Sequence, residues 1–339
     1  MSVRSATHSG SWYSSSSTKL RGQLDAFFEK AKHLKTPLSG PDASKGISGT
    51  RVLIGPHAGY AYSGERLAET FNAWDVSKVK RVFLLGPSHH VYFRGYALLS
   101  PFDYYETPFG NIPVDTDTIE KLVKLKSKHS STDRIFKYMS EDIDEDEHSF
   151  EMHAPFIYYK GQEAVHGMPK IIPILISAMD ERLHDDIVES LLPYMEHEEN
   201  HFIISSDFCH WGSRFQYTRY LNSIDTTVDT LDRYMVSLGA LHKPKELEIY
   251  KSIELLDKMA LDIATKGSYT EWNNYIKVSG NTICGQKPIS IILRLTERYK
   301  NSGGTVGQDV FNWIGYSQSN PVKRSSESSV SYASGYIKL

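Results

Sequence analysis

Two segments of the sequence end a hydrophobic run with Gly-Pro and place a histidine just beyond it. Residues 51–60 read RVLIGPHAGY and residues 81–90 read RVFLLGPSHH, so His57 follows the first run, and His89 and His90 follow the second. Glycine relieves the steric limits on a sharp turn and proline fixes φ, so we expect the turn itself to hold each histidine. Imidazole suits iron, copper, zinc and nickel. The two segments therefore predict half of a transition-metal site.

A third hydrophobic run, residues 201–207, ends at an aspartate and is followed by Phe-Cys-His-Trp. A carboxylate near a histidine can orient it as a general acid or base, which makes Asp207 and His210 candidate catalytic residues. The alternative role for Asp207 is to cap the turn that follows the strand. Cys209 and Trp211 flank His210, and we assign them to the lining of the same cleft, although a buried cysteine is more often structural.

The residue pattern leaves the third metal ligand open. Asp207, Glu151, His210 and Cys284, which lies in the segment NTICG, all carry suitable donor atoms. A thiolate from Cys284 would make the site softer and would favour zinc or copper, with iron still within range. The other interpretation of Cys284 is a small buried apolar side chain.

The segment HSFEMH at residues 148–153 adds His148, Glu151 and His153. Its histidines are five positions apart, whereas the helical zinc motif places them four apart on one face. We therefore expect the segment to be extended and to line the cleft. The acidic run SEDIDEDE just before it, residues 140–147, is typical of a solvated loop.

Strands and helices alternate along much of the chain, and the short strands, such as those in 51–55 and 81–86, are apolar throughout. Such strands are usually buried on both faces. The pattern predicts one domain over residues 1–339, a three-layer α/β/α fold with a central mixed sheet. Ligands bind beyond the carboxyl ends of the strands in such sheets, which is where the histidines stand.

Several further elements follow from periodicity and from proline. Residues 217–236, 246–265 and 286–299 are predicted to be helices, and residues 312–318 and 329–337 to be late strands. The run KIIPILIS at 170–177 is predicted to be a strand near a sheet edge or a bulge, because proline cannot donate a ladder hydrogen bond.

Composition excludes several classes of protein. The 339 residues carry a net charge of −3 with both signs well mixed, which disfavours nucleic-acid binding and attachment to a membrane surface. Two cysteines do not make a disulfide framework, and neither a signal peptide nor an apolar run of about 20 residues is present. The glycine-rich motifs that bind nucleotide phosphates are also missing, which predicts no nucleotide cofactor. We expect an intracellular protein of the cytoplasm, with the nucleus as a second location.

Taken together and in order, these segments resemble the Memo family, named for mediator of receptor-kinase-driven cell motility. The resemblance covers almost the whole chain. It rests on eight stretches, namely THSGSWY (7–13), GPHAGYAYSG (55–64), LLGPSHH (84–90), HSFEMHAPF (148–156), SSDFCHWG (205–212), LDKMALDI (256–263), NTICGQKPI (281–289) and SSVSYASG (328–335).

The resemblance implies a fold similar to class III extradiol dioxygenases, which hold non-haem iron with two histidines and a carboxylate. It assigns the two histidines to His57 and His89, and it places Cys284 where those enzymes have the carboxylate. It also assigns the acid–base role to His210, with Asp207 nearby. His90 is left to pack against the site or orient it. Because a thiolate replaces a hard carboxylate, ring-cleaving activity does not follow from the resemblance.

Two functions are implied by the resemblance, and a third stays open. The first is a redox protein that binds iron or copper, and the second is a signalling adaptor whose cleft recognises phosphotyrosine peptides. A hydrolase with a metal-bound water and His210 as base is the third. Catalytic activity, substrate and oligomeric state are not predicted.

Overall fold

The computed structural model describes residues 1–32, 46–239 and 246–339. Its strands are β1 (Val3–Arg4), β2 (Thr50–Gly55), β3 (Arg81–Pro87), β4 (Ala97–Leu99), β5 (Tyr104–Thr107), β6 (Gly110–Pro113), β7 (Phe136–Tyr138), β8 (Lys170–Ile176), β9 (Asn200–Ser205), β10 (His210–Trp211), β11 (Arg219–Leu221), β12 (Met235–Ser237), β13 (Asn312–Gln318) and β14 (Ser329–Lys338). The predicted late strands are therefore confirmed.

The helices flank the large sheet that nine of these strands form. They are α1 (Ser17–Lys32), α2 (Tyr60–Asn72), α3 (Thr116–Val123), α4 (Glu141–Asp146), α5 (His148–Glu151), α6 (Ala154–Gly161), α7 (Glu181–Met195), α8 (Leu231–Tyr234), α9 (Ile249–Lys266), α10 (Tyr269–Ser279) and α11 (Gln286–Asn301). One group of packed helices contains α1, α2 and α6, and another contains α7, α10 and α11.

The large sheet has the order β10-β14-β2-β9-β3-β8-β4-β7, with β13 paired to β14. Its centre is parallel, because β2 pairs with β9, β9 with β3, and β3 with β8 in the same direction. Strands β14 and β4 run antiparallel to their neighbours β2 and β8. The predicted mixed sheet between helical layers is thus confirmed, and its apolar central strands are buried as expected.

Proline in β8 is accommodated inside the sheet, so the predicted edge position is only partly right. Pro173 pairs in register with Leu84 of β3 on one side. On the other side, β4 is short and pairs only with Ile174 and Leu175, while Ile171 forms an isolated bridge to Val114. Pro173 therefore lies between the two short segments that pair with β8 on this side, where no N–H is needed for a ladder hydrogen bond.

The predicted helix at 217–236 is wrong. That stretch forms β11 and β12, an antiparallel pair, with the four-residue helix α8 just before β12. Between the two strands lies SIDTTVDT, whose short polar side chains bond to nearby backbone and so compete with a helix. Thr226, for example, donates its hydroxyl hydrogen to the carbonyl of Ser223. The other two predicted helices, which match α9 and α11, are confirmed.

The acidic run at 140–147 is not a solvated loop. Ser140 accepts a hydrogen bond from the Ile143 N–H and caps α4, and the side chains of Asp144 and Glu147 are 0 % and 1 % exposed. Burial is tolerated because Arg4 donates to Asp144 from the N-terminal strand. The extended conformation expected for 148–153 is also wrong, since its first four residues form α5.

Within the described residues, none of the helices combines the length and the apolar character needed to cross a bilayer.

Candidate metal centre

The candidate site lies where three central strands end. Strand β9 stands between β2 and β3, and all three run in the same direction. His57 follows β2, Asp207 follows β9, and His89 follows β3. The expectation that these segments meet at one edge of the sheet is confirmed.

The glycines of the two Gly-Pro turns serve close packing. Neither Gly55 nor Gly86 is among the residues with positive φ in the described chain. A Cβ on Gly86 would stand 2.5 Å from Ser149 Oγ, and one on Gly55 would stand 3.1 Å from a methyl of Leu67. Small residues are needed here because α5 and α2 press directly on the strand ends.

His57 is held from two sides. Its backbone N–H donates to Asp207 Oδ1 (2.9 Å), and its Nδ1 lies 2.7 Å from Ser205 Oγ. Ser205 in turn donates its single hydroxyl hydrogen to the carbonyl of Ser149 (2.7 Å). Because that hydrogen is already used, Nδ1 must carry the proton and donate to Ser205. The lone pair of His57 therefore lies on Nε2, the atom that approaches Cys284.

His89 is fixed in the same way by a buried carboxylate. Glu147 accepts the His89 N–H at Oε2 (2.9 Å) and contacts the His89 Nδ1 through Oε1 (2.7 Å). Burial alone would raise the pKa of Glu147, but the hydrogen bonds from the His89 ring and backbone help to lower it to about 2. An ionised carboxylate only accepts, so Nδ1 of His89 donates, and the tautomer of the neutral imidazole has its lone pair on Nε2.

His148 completes a cluster of three imidazoles. One nitrogen from each of His57, His89 and His148 lies within 4.8 Å of the other two. The His148 ring centroid is 4.2 Å from that of His89 and 5.3 Å from that of His57. Burial and the neighbouring histidines lower the pKa of His57 well below its usual value and that of His148 to about 3. His57 and His148 are therefore neutral at neutral pH, and each keeps a lone pair that can bind a metal.

Cys284 stands beside this cluster on the loop between α10 and α11. Its Sγ lies 3.2 Å from His57 Nε2 and accepts the Asp207 N–H at 3.2 Å. Burial raises the pKa of the Cys284 thiol well above its usual value. Within the described residues the group of mutually close donor atoms consists of the three histidines. Cys284 thus adds a sulfur donor next to one of them.

The two candidate catalytic residues also face this region. Asp207 Oδ2 is 4.0 Å from His57 Nε2, and burial raises the pKa of the Asp207 carboxyl. His210 Nδ1 lies 2.9 Å from the carbonyl of Phe208 and 3.1 Å from that of Thr282. Carbonyls only accept, so Nδ1 carries the proton and Nε2 is the basic nitrogen of His210.

A cleft of about 450 Å³ opens in front of these groups. His57, His89, His148, Asp207 and His210 all line it. The three clustered imidazoles, two of them with fixed tautomers, together with a thiol and a carboxyl make a donor set that suits a transition metal. His57 and His89 each donate a hydrogen bond from Nδ1. Hydrogen bonds of this kind orient histidines that bind a metal through Nε2.

Five residues assigned to the cleft lining are not among the described residues that line it, namely His90, Glu151, His153, Cys209 and Trp211. Glu151 is buried among N-terminal groups, where it accepts from Arg4 Nη1 at 2.6 Å. His153 is buried beside α2, where its ring centroid is 5.9 Å from that of Phe71, and its Cε1 would be 3.4 Å from a Cβ on Gly55. They point away because α5 and the residues after it are helical, and the residues of a helix turn do not share one face.

Cys209 and Trp211 pack into a separate buried cluster on the other side of the 205–212 segment. The Cys209 N–H donates to Asp257 Oδ1 at 3.3 Å, and Trp211 Nε1 donates to the carbonyl of Arg219 at 2.8 Å. Successive residues of an extended chain alternate sides, so His210 faces the cleft when its two neighbours do not. His90 is exposed, and its ring centroid is 6.0 Å from that of His148.

Sequence reasoning missed the part of the wall formed by the N-terminal segment. Ser11 and Trp12 line the cleft, and the Trp12 ring lies 4.7 Å from that of His148. His8 packs edge-on against Trp12 at 5.2 Å and contacts Glu151 through Nδ1 at 2.9 Å. The available signal was THSGSWY, which combines a histidine and a tryptophan with turn residues ahead of the first helix.

Comparison with known proteins agrees with the resemblance. The family profile described as Memo-like protein matches residues 4–336. The chain is 38% identical over 350 aligned positions to the MEMO1 family protein MHO1 of Saccharomyces cerevisiae, covering 100% of both chains. It is 36% identical over 334 positions to Protein MEMO1 of Xenopus laevis, covering 98% of this chain and 97% of the relative. It is also 35% identical over 336 positions to Protein MEMO1 of Rattus norvegicus, covering 99% and 97%.

Proposed function

This chain belongs to the Memo family, and we propose that its three clustered histidines bind a transition metal, iron or copper, for a redox or signalling role. One observation carries the proposal. His57 and His89 each donate Nδ1–H to a buried partner, Ser205 and Glu147, and so keep the Nε2 lone pair for a ligand. By contrast, the core histidine His201 uses both ring nitrogens, because Nδ1 accepts from Trp74 Nε1 and Nε2 contacts the carbonyl of Glu198.

Cys284 is proposed as a further donor. Its Sγ lies 3.2 Å from His57 Nε2, close enough for both atoms to face one ion after a small adjustment. A metal lowers the pKa of a bound thiol, which offsets the effect of burial. When bound, iron or copper supplies one-electron chemistry, and the sulfur donor favours copper more than a carboxylate would.

His210 and Asp207 are proposed to handle protons beside the metal. His210 presents Nε2 as a base, because Nδ1 donates to the carbonyls of Phe208 and Thr282. Asp207 holds the backbone of His57 and has a pKa raised by burial, so it can hold a proton near the cleft. The chain is thus equipped as a metal-dependent oxidoreductase, and ring cleavage is not part of the proposal because Cys284 takes the place of the third, carboxylate ligand.

Metal analysis of freshly purified protein tests the proposal. The wild type, prepared anaerobically, is expected to contain iron or copper near one equivalent. His57→Ala should lose the metal, while His148→Ala and Cys284→Ser should each weaken metal affinity about tenfold or more. The affinity is measured by competition with a chelator.

The matched control is His166→Ala. This histidine is exposed and lies between α6 and β8, away from the cleft. Its replacement should leave metal content unchanged. Equal metal content in the wild type, the His57 variant and the Cys284 variant would overturn the proposal.

A second candidate is an adaptor whose cleft binds phosphotyrosine peptides. What favours it is the open mouth of the cleft, where Trp12 and Tyr62 are exposed, Tyr62 to 65 %. Exposed aromatic rings beside a cleft are typical anchors for a partner chain. A peptide titration should weaken on His57→Ala and Trp12→Ala. Affinity unchanged in both variants would count against the adaptor.

We also propose that the protein acts in the cytoplasm and in the nucleus. The support is the low cysteine content together with the mixed surface charge. Fluorescence microscopy of a tagged chain tests this, and exclusive labelling of secretory compartments would contradict it.

A further inference from the structure

A second cavity continues the metal-site cleft on one side. It has a volume of about 340 Å³ and shares Tyr62, Arg214, Phe215 and Val330 with the cleft. Its remaining lining consists of Tyr332 and hydroxyl or amide side chains from the 319–329 region. The cleft therefore has two compartments, one lined by histidines and one lined by neutral polar groups around a single arginine.

Arg214 is the one lysine or arginine among the residues that line either compartment. Within the described residues, no carboxylate lies within 4.0 Å of its guanidinium. The guanidinium carbon instead stands 4.6 Å from the centroid of the Phe215 ring. A cationic fork that is not paired with an acid at a cavity wall is suited to an anionic ligand.

The turn that carries Arg214 is held in an unusual conformation. Gly212 has φ 127° and Gln216 has φ 56°, and Gln216 is the one non-glycine residue with positive φ in the described chain. A Cβ on Gly212 would stand 2.7 Å from Ser328 Cβ, so the turn is pressed against the 327–328 backbone. Strain of this kind persists where the surroundings fix it, and it is concentrated at functional sites.

Phe215 connects the arginine to the proposed base. The Phe215 ring packs edge-on against the His210 ring, with the two centroids 5.1 Å apart. The guanidinium of Arg214 lies over the same Phe215 ring. An anion on Arg214 is thus separated from His210 by about one aromatic ring. A ligand of small size can reach from one compartment to the other.

We propose that Arg214 binds the carboxylate of a small organic acid, whose remaining part extends past Phe215 toward His210 and the three histidines. A carboxylate fits better than a phosphate, because one guanidinium offers a bidentate contact to a monoanion and the wall supplies no second cation. The substrate assignment rests on the proposed function, since it makes the histidine compartment the reacting end.

The test is a titration of the purified full chain with benzoate, followed by calorimetry. Benzyl alcohol serves as the neutral analogue and phenyl phosphate as the dianionic one. Benzoate is expected to bind the wild type, and Arg214→Gln should weaken it at least tenfold, because charged hydrogen bonds of this type contribute roughly that much or more. Arg214→Lys should recover part of the loss, since it keeps the charge and loses the paired donors.

Arg182→Gln is the matched control, because Arg182 is exposed on α7 and outside both compartments. It should bind benzoate like the wild type. The inference is overturned if the wild type does not bind benzoate, if Arg214→Gln binds it equally well, or if benzyl alcohol or phenyl phosphate binds more tightly than benzoate.

Metal content measured on the same samples separates this inference from the proposed function. Arg214→Gln should keep the metal of the wild type while losing benzoate. A wild type that binds benzoate through Arg214 but contains no metal would contradict the metal proposal alone.

Discussion

His57 Nδ1 lies 2.7 Å from Ser205 Oγ, and the hydroxyl of Ser205 points onward to the carbonyl of Ser149. Three elements, the loop after β2, the end of β9 and helix α5, are thereby joined in one chain of hydrogen bonds. The direction of that chain decides which nitrogen of His57 is free. A backbone carbonyl can only accept a hydrogen bond. The carbonyl of Ser149 therefore sets the tautomer of His57, which is two hydrogen bonds away.

Ser205→Ala should therefore weaken metal binding without removing a ligand. Loss of the hydroxyl leaves Nδ1 of His57 without its acceptor, and such outer contacts commonly affect metal affinity by about 10- to 100-fold. Competition with a chelator measures the change. Ser290→Ala is the control, because Ser290 is also buried and its hydroxyl donates to the carbonyl of Lys287 within α11. Metal affinity equal in both variants would contradict the orienting role of Ser205.

Stability at acid pH should depend on Glu151. Burial raises the pKa of this carboxyl, but hydrogen bonds from His8 and Arg4 and the charge of Arg4 outweigh burial and lower it from 4.5 to about 2. A carboxyl whose pKa is lowered in the folded state stabilises the fold above its unfolded pKa. That contribution is lost as the pH falls from about 4.5 toward 2, and it amounts to about 3 kcal/mol.

Glu151→Gln should remove this contribution. Denaturant unfolding of the variant at pH 7 is expected to give a free energy of unfolding lower than that of the wild type by about 3 kcal/mol, and the difference should vanish near pH 2. Glu141→Gln, an exposed change in α4, should follow the wild-type curve. A difference between Glu151→Gln and the wild type that stays constant with pH would refute this assignment.

Asp257 joins the segments that bear His210 and Cys284 to helix α9. Its Oδ1 accepts from the Cys209 N–H (3.3 Å) and from Asn281 Nδ2 (3.1 Å), and its Oδ2 accepts from the Tyr316 hydroxyl (2.8 Å). Asp257→Ala leaves the buried Cys209 N–H without its acceptor and removes one of the two acceptors of Asn281 Nδ2 and of the Tyr316 hydroxyl. We expect a loss of about 2–4 kcal/mol in the free energy of unfolding.

Asp262→Ala provides the comparison for Asp257→Ala in chemical denaturation. Asp262 is exposed on the same helix, so its replacement should change the free energy of unfolding by less than about 0.5 kcal/mol. Similar unfolding curves for the two variants would show that the buried carboxylate does not hold these segments together.

The sheet and the convergence of its strand ends could be predicted, because both depend on local apolar runs such as VLI in β2 and FII in β9. Apolar runs that are buried on both faces are typical of parallel strands covered by helices. This pattern can be read from the strand residues alone. The positions of His57, His89 and Asp207 follow directly from the strand ends. That part of the site is therefore encoded by sequence pattern.

Contacts between irregular segments could not be predicted in the same way. Arg4 donates to Glu151, which is 147 positions away, and neither residue lies in a periodic pattern that signals the pairing. Arg4 also donates to Asp144, and this second long-range contact allows part of the acidic stretch to be buried. Chemical type suggested which residues were candidates, but only the packing of α5 against β3 shows that His148 joins the cluster.

Two glycines in helices give opposite predictions for the same substitution. Gly22 is exposed inside α1, and a Cβ there has no atom within 4 Å, so Gly22→Ala should raise the free energy of unfolding by about 0.5–1 kcal/mol. Gly64 lies inside α2, where a Cβ would stand 2.2 Å from the Phe27 ring. Gly64→Ala forces that ring to move, and overpacking of this kind costs about 1–3 kcal/mol.

The contact with Phe27 makes the Gly64 prediction specific. In a Phe27→Ala background the clash is absent, so adding Gly64→Ala should no longer destabilise the protein and should gain the helix propensity of alanine. Denaturant unfolding of the single and double variants forms a double-mutant cycle, and the coupling between positions 27 and 64 should reach about 1 kcal/mol or more. Additive effects of the two substitutions would show that α1 and α2 do not meet through this glycine.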